Sequence, residues 1–442
     1  MKGNSERGII LICHPVLRDE LFLFLSRSLT IKNTAQQTIH KFDPPDSLSS
    51  VGMTVPRHID IADAEHPFCL EGGGKLSQVS VEYETYGELD EAKDNVILIC
   101  HALSGDAHVA GWDATAKDMQ NRKWRLTHPG WWDAVIGPGK PIDTNRFFVV
   151  CANVLGSCYG TTGPSSIDPA TGKPYGLRFP MVTVGDWVVM EKKLLEHLGI
   201  EHLYAVIGGS LGGQQALEWA LRYPRFVGKC IVMASGPKLP AQGLGFNAVA
   251  RNAIMRDENF ANGDYYGNKK GPANGLAVAR MLAHITYLSG KGMDFKFGRK
   301  RLGQDERGSQ GFDAEFSVES YLNHQSKSFV ERFDADSYLY ITRAMDYYDA
   351  AAAWGDGDLR KACRRLHAEL MVVSFSSDWL YPPAEAREFV NAFLAENKPV
   401  TYVEIKSESG HDAFLVDTVP VGRLLRAYLL APGINRRSGA IK

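Results

Sequence analysis

Ser210 lies within the run Gly208-Gly209-Ser210-Leu211-Gly212, between an apolar segment and a segment with helical spacing. The pattern G-x-S-x-G is typical of a tight turn that presents a serine hydroxyl where a strand passes into a helix. Its glycines let the two backbones approach closely, and the helix N-terminus favours negative charge at this point. We therefore predict that Ser210 is a nucleophile. A glycine-rich turn without chemistry is the alternative.

A serine hydroxyl needs a base before it can attack, so the rest of the chain should supply one. The segment SFSSDWLYPP places Asp378 after a strand-like run, and ESGHDAFL places His411 after the next one. The order serine, aspartate, histidine is that of a known triad arrangement. We predict that His411 takes the proton of Ser210, while Asp378 fixes the histidine tautomer and stabilises the imidazolium. Taken singly, a turn aspartate or a surface histidine would explain either residue.

An acyl-transfer site also needs two hydrogen-bond donors for the oxyanion that develops on the carbonyl. The backbone N–H of Leu211, directly after the serine, is one candidate. The segment CHALSG follows an early strand-like run and supplies the second, for which we favour Leu103 over the competing register at Ala102. His101 and His108 lie nearby, but no carboxylate cluster accompanies them, so we expect no metal site.

These residues must be positioned by a sheet. Apolar runs alternate with helical segments along most of the chain, which predicts a mostly parallel sheet with helices on both faces; the runs are NVILICHALSG, RFFVVCANVLG, LYAVIGG, KCIVMAS, ELMVVSFSSDW and VTYVEIKSESG. With the triad order, the fold class is α/β and the architecture an α/β-hydrolase fold.

The alternation is interrupted once. Residues 239–367 have helical periodicity and no convincing strand, which predicts an inserted helical lid between two parts of the core, 56–238 and 368–442. Residues 1–55 form an N-terminal extension, polar and turn-rich over 32–55, which could be disordered. The apolar stretch near the N-terminus is interrupted by Arg18, Asp19 and Glu20, so a secretory signal is not expected.

Composition narrows the classes of partner. The 442 residues carry a net charge of −2, so no general attraction to nucleic acid or to a membrane is expected. The one basic run, FKFGRKR, is interpreted as a solvated loop. No segment has the roughly 18 continuous apolar residues of a membrane span. The seven scattered cysteines suggest neither disulfides nor zinc, and we expect a cytoplasmic protein.

Several longer motifs resemble one family. The chain is similar to homoserine O-acyltransferases of the α/β-hydrolase type from about His58 to Leu430, in the motifs CHALSGDAHVAGW, NVLGSCYGTTGPSS, IGGSLGGQQALEWA, GFNAVARNAI, YITRAMDYYD, SDWLYPP and GHDAFL. Residues 1–55 lie outside the resemblance. Leu211 departs from it, because many relatives have methionine there. Because only the backbone N–H of this residue is assigned a role, we expect the change of side chain to have little effect on catalysis.

The resemblance implies acetyl transfer by a ping-pong route in methionine biosynthesis. Ser210 would take the acetyl group from acetyl-CoA, a co-substrate, and pass it to the hydroxyl of L-homoserine, with no bound cofactor. It further implies that Arg251 binds the substrate carboxylate and Asp412 the substrate ammonium. A solvated helix face or an internal salt bridge is the alternative for Arg251, and a loop-capping role for Asp412. Relatives are commonly homodimers joined through lid helices.

The choice between an acetyl and a succinyl donor is predicted from one residue position. Succinyl-using members of the family tend to carry arginine after the tryptophan of the SDW segment, where this chain has Leu380. An apolar side chain offers a succinyl carboxylate no partner, so acetyl is favoured. A succinyl donor stays open as an alternative. Serine as the acceptor also stays open, because it differs from homoserine by one methylene, which a pocket discriminates by only about 1–3 kcal/mol. A serine hydrolase and a binding protein on an inactive scaffold are the alternatives from other classes.

Overall fold

The computed structural model describes residues 10–13, 49–302 and 312–432. Its centre is a nine-stranded sheet. The strands are β1 (Ile10–Cys13), β2 (Arg57–Ala62), β3 (Val79–Tyr86), β4 (Val96–Cys100), β5 (Phe148–Ala152), β6 (Leu203–Gly209), β7 (Val227–Met233), β8 (Glu369–Phe375) and β9 (Val400–Ile405). Across the sheet they run in the order β1-β9-β8-β7-β6-β4-β5-β3-β2.

Strands β4 to β9 are mutually parallel, whereas β1, β2 and β3 pair antiparallel with their neighbours. Every residue of β4 is buried, as expected of a strand with helices on both faces. The helices are α1 (Val184–His197), α2 (Leu211–Arg222), α3 (Ala241–Met255), α4 (Ala273–Tyr287), α5 (Gly290–Lys296), α6 (Ser317–Val330), α7 (Ala335–Tyr347), α8 (Ala350–Gly355), α9 (Leu359–Arg365), α10 (Pro383–Ala395), α11 (Ala413–Val416) and α12 (Thr418–Leu430). The α/β-hydrolase architecture is confirmed.

Short strand pairs and 3-10 turns lie outside the main sheet and the helices. Four two-stranded pairs are formed by Met53–Thr54 with Trp112–Asp113, Phe68–Cys69 with Lys75–Leu76, Ile136–Gly137 with Ile142–Asp143, and Ile167–Asp168 with Lys173–Pro174. Single 3-10 turns span Ala116–Asp118, Gln120–Leu126, Gly176–Arg178, Ala261–Gly263 and Gly410–Asp412. None of the helices in the described part of the chain has both the length and the apolar composition needed to cross a bilayer.

The segment between β7 and β8 holds helices α3 to α9, where a helical lid was expected. Within its described residues the one β interaction between lid residues is an isolated bridge between Arg301 and Phe316. Helix α4 packs against α3 and α6 and also touches the 3-10 turn at Gly410–Asp412. The lid therefore contacts the core directly where the predicted histidine lies.

Parts of the N-terminal extension, residues 1–55, are ordered against the core. Ile10–Cys13 pairs with β9, and Met53–Thr54 pairs with Trp112–Asp113. An edge strand such as β9 offers unpaired backbone groups, which an apolar segment can satisfy. Residues 1–9 and 14–48 lie outside the described part. The basic side chains of the run FKFGRKR are exposed, and one of them, Lys296, lies over the ring of Tyr321.

The carboxyl ends of the parallel strands meet at one edge of the sheet, and this edge positions the site. Ser210 directly follows β6, and Leu103 lies in the loop after β4. Asp378 lies three residues beyond β8, and His411 lies in the loop after β9. Adjacent strands thus bring together residues that are up to 308 positions apart in the chain.

Candidate active site

Ser210 occupies a strained backbone conformation at the junction of β6 and α2. Its φ is 55° and its ψ −123°, a region that non-glycine residues seldom adopt. The serine N–H donates to the carbonyl of Met233 at 3.0 Å, which ties the turn to the neighbouring strand. The hydroxyl is thereby held at the sheet edge, at the start of a helix.

Close backbone contacts explain two of the surrounding glycines. A Cβ on Gly208 would lie 1.9 Å from the carbonyl oxygen of Gly212, and a Cβ on Gly212 would lie 2.0 Å from that of Cys100. Both neighbours are backbone atoms, so no side chain can move aside. Strand β6 and helix α2 can approach this closely only because both positions lack a side chain.

The substitution Gly212→Ala should therefore destabilise the fold. Overpacking typically costs about 1–3 kcal/mol, and we expect the upper end because the Cβ would meet a carbonyl of the buried strand β4. Denaturant unfolding checks this. Gly245→Ala is the matched control, since Gly245 lies in α3 and a Cβ added there would have no atom within 4 Å, so alanine should gain up to about 1 kcal/mol. Equal stability of the two variants would contradict the packing argument.

The structure brings the three predicted triad residues together. His411 Nε2 lies 2.8 Å from Ser210 Oγ, and His411 Nδ1 lies 2.9 Å from Asp378 Oδ2. The other oxygen of Asp378 accepts the backbone N–H groups of Leu380 and Tyr381 at 2.9 and 3.0 Å. This network assigns the Nδ1–H tautomer to His411, which leaves Nε2 free to accept the serine proton.

The surroundings of His411 control its charge. Its side chain is buried, and burial alone would lower its pKa, but the charge and hydrogen bond of Asp378 outweigh burial and raise it. The rings of Tyr381 and Tyr287 lie 5.7 and 5.9 Å from the imidazole. The base is thus shielded from bulk water and stabilised in its protonated form.

Two backbone positions are candidates for the oxyanion hole. Leu211 is the first residue of α2, and Leu103 is among the residues that line the cavity over Ser210, whereas Ala102 is not. The carbonyl of Ala102 instead accepts the Nδ1–H of His101 at 2.8 Å. The cavity therefore favours the Leu103 register over Ala102.

Each of the two nearby histidines is held through at least one of its ring nitrogens. The Nε2 of His101 accepts the N–H of Val154 at 3.2 Å, and His108 Nδ1 lies 3.1 Å from Glu84 Oε1. Among the residues that the structure describes, no group of three or more possible ligands is found. Both side chains therefore act as buried supports of the loop that carries Leu103.

An ion-pair network fixes the loop after β4. Arg125 donates to Asp106 and to Asp113, each at 2.6 Å, with all three side chains buried. Burial alone would raise the pKa of Asp106, but the Arg125 guanidinium outweighs it and the pKa falls. A buried network of this kind, with one arginine bonded to two carboxylates, holds the oxyanion-side loop in one arrangement.

A largely apolar cavity lies between the lid and the sheet edge and opens onto Ser210. Its lining comes from the core at Leu103, Ser210 and Leu380, and from the lid at Leu239, Gly243, Phe246, Asn247, Ala250, Ala279, Leu282, Ala283, Thr286, Tyr287, Tyr338 and Met345. A short acyl chain fits such a lining, and water is poorly stabilised there.

The predicted substrate ligands lie near this cavity but not in its lining. Arg251 Nη2 donates to Asp346 Oδ2 at 2.6 Å, and Asn247 donates to the other oxygen of that carboxylate. The internal salt bridge, the alternative interpretation of Arg251, is thus present, although its buried Nη1 has no partner. Burial raises the pKa of Asp412 to about 6, against the charges of His411 and Arg280, which lower it.

Sequence reasoning missed three residues of the lid that frame the site. Tyr287 and Tyr338 line the cavity, and Arg280 acts electrostatically on Tyr287, Tyr338 and Asp412. The spacing of Arg280, Ala283 and Tyr287 places them on one face of α4. That helical spacing was visible in ARMLAHITY, but nothing local shows that the face turns towards Ser210.

Comparison of the sequence with known proteins identifies the fold family and its relatives. A family profile described as alpha/beta hydrolase fold matches residues 95–418. The homoserine O-succinyltransferase of Acidithiobacillus ferrooxidans is 50% identical over 380 residues, which cover 86% of this chain and 96% of that protein. The homoserine O-succinyltransferase of Magnetococcus marinus is 49% identical over 391 residues, covering 86% of this chain and 95% of that protein.

Comparison with solved structures identifies proteins with the same fold. The homoserine O-acetyltransferase from Bacillus anthracis superposes with a TM-score of 0.77 at 29% identity, covering 86% of this chain and 99% of that one. The esterase E22 superposes with a TM-score of 0.75 at 32% identity, covering 85% and 100%. By its triad geometry and by sequence identity along most of its length, the chain belongs to the homoserine O-acyltransferase family of α/β-hydrolase proteins.

Proposed function

We propose that the protein transfers an acyl group from an acyl-CoA to the hydroxyl of L-homoserine, forming O-acyl-L-homoserine and CoA. The observation that carries this proposal is the hydrogen-bonded chain from Ser210 through His411 to Asp378 beneath an apolar cavity. Relatives named homoserine O-succinyltransferase and homoserine O-acetyltransferase support the substrate class. The product belongs to methionine biosynthesis, a reaction that we assign to the cytoplasm.

In the first half-reaction Ser210 Oγ attacks the thioester carbonyl while its proton moves to His411 Nε2. The developing oxyanion is stabilised by the N–H groups of Leu211 and Leu103. When the carbon–sulfur bond breaks, the imidazolium returns the proton to the CoA thiolate. The acyl group is then held as an ester of Ser210.

In the second half-reaction the homoserine hydroxyl gives its proton to His411 and attacks the ester carbonyl. The bond to Ser210 Oγ breaks, and His411 returns the proton to the serine. Water could react in the same way, so the lid must exclude it and hold the acceptor near the ester. The apolar cavity wall supplied by the lid supports that role.

For the acceptor we propose that Asp412 binds the ammonium and that Arg251 binds the carboxylate. The Asp412 carboxylate forms no hydrogen bond or ion pair within the described residues, which leaves its oxygens for a ligand. Arg251 is engaged with Asp346, yet its unpaired Nη1 could donate to a carboxylate. Charge-assisted bonds of both kinds suit an amino acid.

For the donor we propose acetyl-CoA. Leu380 lines the cavity beside Ser210 and is buried, so the terminal carboxylate of a succinyl group would meet an apolar side chain there. The relatives named homoserine O-succinyltransferase favour the other donor, and this is the specific observation behind a second candidate. The similarity to esterase E22 supports a hydrolase as the third.

Mass spectrometry of the products separates these candidates. The enzyme is given acetyl-CoA or succinyl-CoA with homoserine, with serine or with no acceptor. We expect O-acetyl-homoserine as the main product. Release of acetate at the same rate with and without homoserine would instead identify a hydrolase, and a predominant O-succinyl product would overturn the donor assignment.

The substitution Leu380→Arg should raise the ratio of succinyl to acetyl transfer by about 10- to 100-fold, because it gives the succinyl carboxylate a charge-assisted partner. Competition between the two donors at equal concentration measures this ratio. Leu380→Met, which nearly conserves volume, is the control and should leave the ratio unchanged. A shift of Leu380→Arg towards acetyl would show that this position does not contact the acyl group.

We also propose a homodimer formed through the lid. Large apolar side chains are exposed on α3 and α4, namely those of Leu244, Val249, Met255, Val278 and Ile285. Exposed apolar residues gathered on two adjacent helices are typical of an interaction surface. Light scattering of the purified chain tests this proposal, and a monomer at micromolar concentration would contradict it.

A further inference from the structure

Arg280 projects from α4 into the region between the lid and the catalytic edge of the sheet. Its guanidinium lies 4.5 Å from the ring centroid of Phe329 and 5.8 Å from that of Tyr287. Within the described residues its single hydrogen bond runs from Nη1 to Ser104 Oγ at 3.4 Å, and its buried Nε has no acceptor. A guanidinium carries five donors, so most of them are unused here.

The charge of Arg280 has no counter-ion in the part of the chain that the structure describes. No carboxylate approaches it within 4.0 Å, whereas the charge of Arg332 lies close enough to repel it. The pKa of the neighbouring His284 is affected by the same positive charges. Burial, followed by the charges of Arg280, Lys296 and Arg332, lowers the pKa of His284 to about 3. An anion brought to this place would be stabilised.

Asp412 is the carboxylate whose charge acts on Arg280, although no ion pair within 4.0 Å joins the two groups in the described residues. Helix α4, which carries Arg280, packs on the 3-10 turn Gly410–Asp412, and the charges of Arg280 and Asp412 act on each other. Gly410 is so close to the end of α4 that a Cβ there would lie 2.6 Å from the carbonyl oxygen of Tyr287. Because no ion pair joins the two side chains in the described structure, both charges are left for a ligand to compensate.

We propose that Arg280 is a second ligand of the acceptor carboxylate beside Arg251, and that with Asp412, assigned above to the ammonium, it forms a zwitterion clamp. Both arginines act electrostatically on Tyr338, which lines the cavity. A carboxylate has enough lone pairs to accept from two guanidiniums. This inference deepens the proposed function and rests on it.

The position of Arg280 favours a small substrate over the phosphates of CoA. Ser104, to which it is bonded, directly follows Leu103, and consecutive Cα atoms are about 3.8 Å apart. The guanidinium therefore lies close to the oxyanion side of the cavity, whereas the phosphates of CoA lie a full pantetheine arm away from the thioester. A bound amino acid places both of its charges near the hydroxyl that attacks.

The decisive experiment compares L-homoserine with L-homoserinamide, which has the same hydroxyl and ammonium but a neutral carboxamide. The full-length enzyme is acylated with acetyl-CoA, and kcat/KM is measured for each acceptor. In Arg280→Met the preference for homoserine over the amide should fall by about 10- to 100-fold, mainly through loss of activity with homoserine. Acylation of Ser210 by acetyl-CoA should persist, which shows that the variant is folded.

Arg332→Gln is the matched control. Arg332 contacts the same loop residue through the carbonyl of Ser104, but its Nη1 is also bonded to the hydroxyl of Tyr159 at 2.7 Å. The preference of the Arg332→Gln variant for homoserine over the amide should stay at the wild-type value. If Arg280→Met does not fold, Arg280→Gln takes its place with the same expected result.

Two results would overturn the clamp. In one, both Arg280 variants leave the preference unchanged or lower activity with the two acceptors equally, which indicates a packing role. In the other, Arg251→Met abolishes the preference while both Arg280 variants lose activity without any change in preference, which leaves Arg251 as the carboxylate ligand. Failure of the proposed function looks different, because the wild-type enzyme would then form no O-acyl-homoserine from either donor.

Discussion

Ser210→Ala is expected to lower acyl transfer by a factor on the order of 10⁴ to 10⁶, because no other group takes over the covalent step. The hydroxyl bonds only to His411 within the described residues, so its removal should leave the fold intact. Product formation from acetyl-CoA and homoserine measures the loss. Incubation of the wild-type enzyme with acetyl-CoA alone should give an acetylated peptide that contains Ser210.

Two controls make this result specific. Gly245→Ala, at an exposed position of α3 outside the cavity lining, should retain full activity and the same acetylated peptide. Circular dichroism of Ser210→Ala should match that of the wild type. Transfer that persists in Ser210→Ala, with acetylation mapped to another residue, would refute the covalent route through this serine.

Asp378→Asn is expected to lower kcat by about 10⁴-fold, the size of loss known for this substitution in a serine protease. The asparagine amide could donate to Nδ1 of His411, which would favour the tautomer that cannot accept the serine proton. The variant keeps the shape of the side chain, and its Oδ1 can still accept the N–H groups of Leu380 and Tyr381. The loss should therefore appear in catalysis and not in stability.

The pH profile provides a second signature of Asp378. Activity needs neutral His411, so it should be lost on the acid side as pH falls through the histidine pKa, which Asp378 raises above 6.5 despite burial. Without that carboxylate the pKa falls, and the acid limb of kcat/KM should move to lower pH in Asp378→Asn. Stopped assays across the acid and neutral range measure this shift.

The control for this variant is Asp417→Asn. Asp417 lies in the same region and accepts the hydroxyls of Ser407 and Ser409, but it does not touch His411. Its acid limb should coincide with that of the wild type. If both variants shift the limb equally, Asp378 would act on the loop as a whole and not on the imidazole.

The sequence by itself determined the parallel centre of the sheet and the three triad residues. Strands buried on both faces need continuous apolar runs, and a nucleophile turn needs glycines where backbones touch, as at Gly208 and Gly212. Both requirements are local. Because parallel strands end at a common edge, the residue types that follow those runs could be assigned to one site.

None of the three antiparallel strands β1, β2 and β3 was recognised, and in β3 the pattern is disguised by charge. Strand β3 carries Glu82 and Glu84 at buried positions, which in sequence resemble exposed residues. In the fold, Glu82 pairs with Arg122 and Glu84 contacts His108, so each buried carboxylate has a partner. Their partners lie 40 and 24 residues further along the chain, and no local signal could identify them.

Tertiary structure alone decided which arginine of the lid is paired and which is not. Arg251 and Arg280 both lie on helices with similar apolar spacing, yet Asp346, 95 residues beyond Arg251, neutralises the first and leaves the second without a counter-ion in the described part of the chain. The charge of a side chain is fixed by its residue type, but the compensation of that charge depends on elements distant in sequence. For this reason the triad could be predicted from the sequence, whereas the unpaired charges of Arg280 and Asp412 emerged only from the packing of α4 against the histidine turn.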